Sequence, residues 1–233
     1  TDITKIETTP GIKDSDAINK LKLEKQAQNS SEGLSTLNEE NLTETDKFAR
    51  EFFTTIAVLN QSGEVDQNTV DKLSEELTNR ITNTPQRKIY TEKDIVVNST
   101  ETVTSFKKYS DAITGIYAKN KMSYTVYDVL QKFIIDEENV NVEALEELNP
   151  IIQKTENIIN GMLKLSTPTS LARTHLDLIN SLEKLKENIT DIKLYDTDVI
   201  LSLSAIGQYE NNASTLQTTI DNLTMKLALK LSN

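Results

Sequence analysis

The chain has 233 residues, a net charge of −11 and no cysteine. Zero cysteines exclude disulfides and thiolate metal sites, and the acidic balance repels phosphate backbones and anionic lipid, which argues against nucleic-acid binding and direct membrane adhesion. Hydrophobic residues make up 36%, with six glycines, four prolines and no tryptophan, a composition that favours long helices over a turn-rich sheet protein.

Residues 1–42 are polar and weakly periodic, with five lysines against eight acids. This stretch reads as a flexible tether, and 43–233 as the folded domain. Thr43 and Asp46 have capping-box spacing. Phe48, Phe52, Ile56 and Leu59 then form one helical face that ends at Ser62-Gly63. Asp66 is expected to cap a second helix with Val70, Leu73, Leu77 and Ile81 on one side, stopped by Thr84-Pro85.

Residues 87–97 carry strand-forming Ile89, Tyr90, Ile95, Val96 and Val97. With no second strand in view, they are expected to form an extended crossover. Asn98 or Ser99, with Glu101, should start a helix bearing Val103, Phe106, Tyr109 or Ser110, Ile113, Ile116 and Tyr117. Ser123 should start a shorter one with Val126, Val129, Leu130, Phe133 and Ile134. Residues 136–147 hold six acids and no base, which suits the N-terminal start of a helix. That helix should restart at Asn149-Pro150, with asparagine as cap, or kink there.

The C-terminal third organises the rest. Leu171, His175, Leu178, Leu182, Leu185, Ile189 and Ile192 recur at steps of three and four, and so do Val199, Leu203, Ile206, Tyr209, Ala213, Leu216, Ile220, Leu223 and Leu227. Each set makes one stripe of a helix. Thr167-Pro168 should open the first, with threonine as cap and proline at the first helical position. Asp196 or Asp198 should cap the second, whose length of about 33 residues is roughly 50 Å. The short turn between them makes the pair antiparallel. The expected fold is all-α: an elongated multi-helix bundle with a long C-terminal antiparallel helix pair behind a flexible N-terminal segment.

The residues that could carry chemistry have plainer readings. His175 is the only histidine and lies on an apolar stripe, so it reads as packed, and His175→Leu is expected to leave stability equal or higher. The acids Asp136, Glu137, Glu138, Glu143, Glu146 and Glu147 lack the glycine and alternation of a calcium loop. Asn-x-Ser/Thr triplets, among them those at Asn29, Asn41, Asn98, Asn188, Asn212 and Asn222, follow from composition, several inside helices. Gly115, Gly161 and Gly207 fall in helices, where a close approach or a bend would explain them. No catalytic, cofactor-binding or metal-ligating residue is assigned. Tyr109, Tyr117, Tyr124 and Tyr127 are the candidate protein-binding residues, since exposed tyrosines make good anchors, but a place at the edge of the core is the favoured reading.

The run TPTSLARTHLDLIN (167–180), followed by 201–209 and a long terminal helix, resembles a group of uncharacterised envelope-associated helical proteins of reduced-genome, candidate-phyla bacteria. The resemblance implies an extracytoplasmic domain behind a signal or anchor, near a pilus or secretion apparatus. The expected function is a non-enzymatic extracytoplasmic interaction or scaffold domain that binds protein partners and is membrane-tethered through a segment upstream of Thr1. Two alternatives stay open: a cytosolic helical-bundle chaperone or assembly subunit, and an acid-dependent hydrolase.

Overall fold

The computed structural model describes residues 42–62, 67–82, 87–136 and 139–232. The chain divides into two units, Thr1–Thr43 and Glu44–Asn233. Except for Leu42, the expected tether lies outside the described residues, as do Asp66, Thr84-Pro85, Glu137, Glu138, Asn29 and Asn41.

The second unit is all-α. Its described helices are α1 (Glu44–Ser62), α2 (Gln67–Thr82), α3 (Val103–Lys119), α4 (Val126–Phe133), α5 (Asn149–Leu163), α6 (Ala172–Ile192) and α7 (Val199–Leu231). None of the described helices is long and apolar enough to cross a membrane.

Helix α6 sits at the centre: 14 of its 21 residues are buried. Its predicted stripe threads two apolar clusters. Leu171, Leu178 and Leu182 meet Phe106 and Tyr109 of α3, Ile158, Ile159 and Met162 of α5, and Leu223 of α7. Leu185, Ile189 and Ile192 meet Val129 and Phe133 of α4, Leu145, Leu148, Ile151 and Ala205. Helix α7 runs antiparallel to α6. The bonds Asn188 Nδ2 to Ala205 O, Ser202 Oγ to Ile192 O, and Lys226 Nζ to Thr174 Oγ1 pair rising numbers on one helix with falling numbers on the other.

Several local expectations are corrected. Segment 87–97 does have a strand partner: β1 (Val96–Asn98) pairs in parallel with β2 (Ser166–Pro168), Val97 opposite Thr167. Thr167-Pro168 therefore ends a strand and does not open a helix. A short 3-10 turn (Thr169–Leu171) follows before α6 begins at Ala172. The amide and hydroxyl of Ser170 donate to Glu101 at 2.9 and 2.6 Å, so this helix start takes its carboxylate from 69 residues away.

The first turn of α1 is received in the same manner. Glu44 N and Thr45 N donate to the carboxylate of Asp198 at 2.9 and 3.1 Å. Asp198 also caps its own helix, accepting from Leu201 N at 3.1 Å. Thr45 Oγ1 donates to Asp198 and accepts from Ile200 N at 3.0 Å. One carboxylate and one hydroxyl thus join the starts of two helices.

Helix α3 starts at a capping box of Thr102 and Ser105, and α4 at one of Thr125 and Asp128, each two or more residues beyond the expected cap. Ile134 leaves the helix and bridges Val140. The acidic stretch continues into a 3-10 helix (Val142–Leu148), and α5 starts afresh at Asn149 with Pro150 in its first turn. Asn149 is not the cap; its side chain binds Glu146 and Lys193.

The start of α7 also differs in phase. Val199 and Leu203 are exposed, and the buried positions are Ile200, Ser202, Ser204 and Ala205. Gly161 marks a close approach, since a Cβ there would stand 3.2 Å from Ile116 of α3, whereas a Cβ at Gly115 or Gly207 meets nothing within 4 Å. Asn188 and Asn212 are buried within helices.

Candidate functional site

His175 lies in the core with both ring nitrogens engaged. Nδ1 is 2.8 Å from Tyr109 Oη, and Nε2 is 3.1 Å from Met162 O. A carbonyl only accepts, so Nε2 carries the proton and Nδ1 accepts from the tyrosine. Burial pushes the imidazole down to about 4, because a charged ring loses its hydration there. Tyr109 is pushed upward by the same burial. The Tyr109 bond reverses the expectation for His175→Leu: the leucine would strand the buried tyrosine hydroxyl, at about 1–3 kcal/mol, while Met162 O keeps Leu165 N at 3.0 Å.

The four candidate tyrosines are not one surface. Tyr109 is buried, which removes it as an exposed anchor. Tyr117 packs beside it, and its buried hydroxyl has no partner among the described residues. Burial pushes that phenol up to about 12. Tyr124 donates to Glu147 O at 2.8 Å across the second cluster. Only Tyr127 presents its ring to solvent, 50% exposed and edge-on to Tyr209 with centroids 5.4 Å apart.

Three of the described acids in 136–147 have partners in the chain. Asp136 accepts from Asn139, Glu146 binds Lys193 and Asn149, and Glu147 binds Lys132 at 2.6 Å.

The densest polar arrangement lies elsewhere, on the second face of α6. Asn180, Glu183, Glu187 and Asp191 follow at steps of three and four, so they line one stripe. Glu183 is 2% and Asp191 3% exposed. Segment 87–90 lies across them. Arg87 N and Lys88 N donate to the two oxygens of Glu187, each at 2.8 Å. Tyr90 N donates to Asn180 Oδ1 at 2.8 Å, and Asn180 Nδ2 donates back to Tyr90 O at 3.1 Å. The guanidinium of Arg87 reaches both oxygens of Asp191, at 3.0 and 2.8 Å. Glu183 takes Lys186 at 2.9 Å and the hydroxyl of Tyr90 at 3.4 Å.

Burial pushes the Asp191 carboxyl above the usual range, and the Arg87 guanidinium opposes that shift without cancelling it. A buried acid with raised affinity for protons is what an acid-dependent hydrolase would need. Here, however, the carboxylate oxygens hold a strap of the chain itself. The sequence reading followed the apolar stripe and missed this one. The signal was present as Asn180, Glu183, Glu187 and Asp191, one helical line beside the oily one.

Large apolar side chains reach solvent on α1 and α2. Phe53 is 65% exposed, its ring 5.7 Å from that of Phe52, and Val70 is exposed on α2. No protein-family model matches the chain, and no curated protein or solved structure does either.

Proposed function

We propose that this protein is a non-enzymatic interaction or scaffold domain that works outside the cytoplasm, tethered at its N-terminal side and engaging protein partners through helix faces. Placement in the envelope, near a pilus or secretion assembly, rests on the resemblance of residues 167–231 alone.

The observation that carries the interaction reading is the aromatic pair Phe52–Phe53 on α1. Aromatic rings dominate the energy of protein contacts, and here both reach solvent, Phe52 37% and Phe53 65% exposed. His175 meanwhile has both ring nitrogens engaged inside the core. A photo-crosslinking amino acid at position 53, in cells of the source, tests this. We expect a discrete adduct to one partner chain that is lost when Phe52 is changed to serine. No adduct, or one indifferent to Phe52, contradicts it. Fractionation of the same cells tests location, and recovery in the cytosol would favour the chaperone or assembly reading.

A further inference from the structure

The contact between segment 87–90 and α6 has the form of a peptide bound to a groove. Three of its hydrogen-bonding groups on the segment side are consecutive or near-consecutive main-chain amides, and one is a main-chain carbonyl. Any extended polypeptide offers these. Two side chains of the segment reach the face: a basic group at Asp191 and an aromatic hydroxyl at Glu183. The outer side of the segment faces solvent, with Ile89 66% exposed and Tyr90 alone of the four buried.

We propose that the α6 face carrying Asn180, Glu183, Glu187 and Asp191 is a recognition site for an extended basic polypeptide segment, occupied in cis by residues 87–90. The segment it takes has a basic residue followed three positions later by an aromatic one. Charge complementarity selects that chemistry: three carboxylates lie within two turns of one helix, in a chain of net charge −11. An empty site is disfavoured, because buried carboxylates without partners are costly. Exchange of one segment for another leaves every carboxylate paired. The cis segment acts at a high effective concentration, so an incoming segment must be held by a second contact or meet a weakened strap. This inference deepens the interaction reading by naming a second surface and its partner chemistry; it does not use Phe52 or Phe53.

The test uses the full chain and a fluorescent synthetic peptide of residues 87–98. Binding is read by anisotropy to wild type, to Arg87→Ala/Tyr90→Ala, and to that variant with Glu187→Gln/Asp191→Asn added. We expect the strap-weakened protein to bind at least tenfold tighter than wild type, and the added pair to remove the gain. No gain, or a gain that survives loss of Glu187 and Asp191, overturns the proposal. Should the weakened variant fail to fold, hydrogen exchange of wild type decides. We expect amides 87, 88 and 90 to exchange at least tenfold faster than those at the centre of α6, through local opening. Exchange at the rate of α6 overturns the proposal. Failure here with a Phe53 adduct still formed would leave the first interaction surface standing.

Discussion

Helices α1 and α6 look alike as sequences and behave differently as structure. Both repeat apolar residues at helical spacing. In α6, 14 of 21 residues are buried, whereas none of the described side chains of α1 or α2 is. A period says which side of a helix is oily. It does not say whether anything covers that side. Helix α6 is covered by α7, α3, α5 and the 87–90 strap, and two of its faces carry different chemistry, one apolar and one acidic. Helix α1 is joined to the body at its first turn, by the carboxylate of Asp198 and the hydroxyl of Thr45.

Core truncation should sharpen the contrast most. Ile179 is fully buried, and Ile179→Ala should cost about 4 kcal/mol in denaturant unfolding, since the transfer and cavity terms add. The matched change on α1, Phe53→Ser, belongs at the other end of the series.

Next comes the polar core. His175→Leu should cost about 2 kcal/mol by the same measurement, since the buried hydroxyl of Tyr109 loses its partner. The stability curve with pH checks the same residue. The folded value near 4 lies below the unfolded one near 6.5, so the unfolded chain binds the proton first as pH falls. Stability from this group is full above about pH 6.5 and is lost between 6.5 and 4, a change of about 3 kcal/mol. His175→Gln, which can donate to Met162 O and accept from Tyr109, should flatten that window. A slope that persists in the variant would assign the titration elsewhere. Asp191 runs in the opposite direction, since its carboxyl is pushed up and its cost eases as it gains a proton.

Smaller effects belong to the junction. Asp198→Ala removes the cap of α7 and the acceptor for the first turn of α1, and should cost about 1–2 kcal/mol, with loss of protection concentrated in 44–62. Phe53→Ser should fall within about 0.5 kcal/mol, measured by melting, because the ring already faces water.

Much of this was legible before any coordinates. The α6 stripe, the antiparallel partner, the buried lone histidine and the Asp198 cap all follow from spacing and local chemistry. What was not legible depends on residues far apart in the chain. Nothing near Val97 announces Thr167 as its strand partner, and nothing near Thr43 announces Asp198. The phase of α7 is marked by Ser202, buried where its hydroxyl donates to Ile192 O at 2.7 Å, a place a large apolar group could not serve. The tyrosines divide for a related reason. Clustered in sequence, they separate in space: Tyr109 and Tyr117 join one core cluster and Tyr124 the other.

Residue-resolved native-state hydrogen exchange under increasing denaturant bears most directly on the claim that α6 is the element the body is packed on and α1–α2 is a peripheral addition. We expect the central amides of α6 to exchange only through global unfolding, with those of 44–62 and 67–82 opening locally at far lower free energy. Equal protection in α1 and α6, or earlier opening of α6, would contradict it.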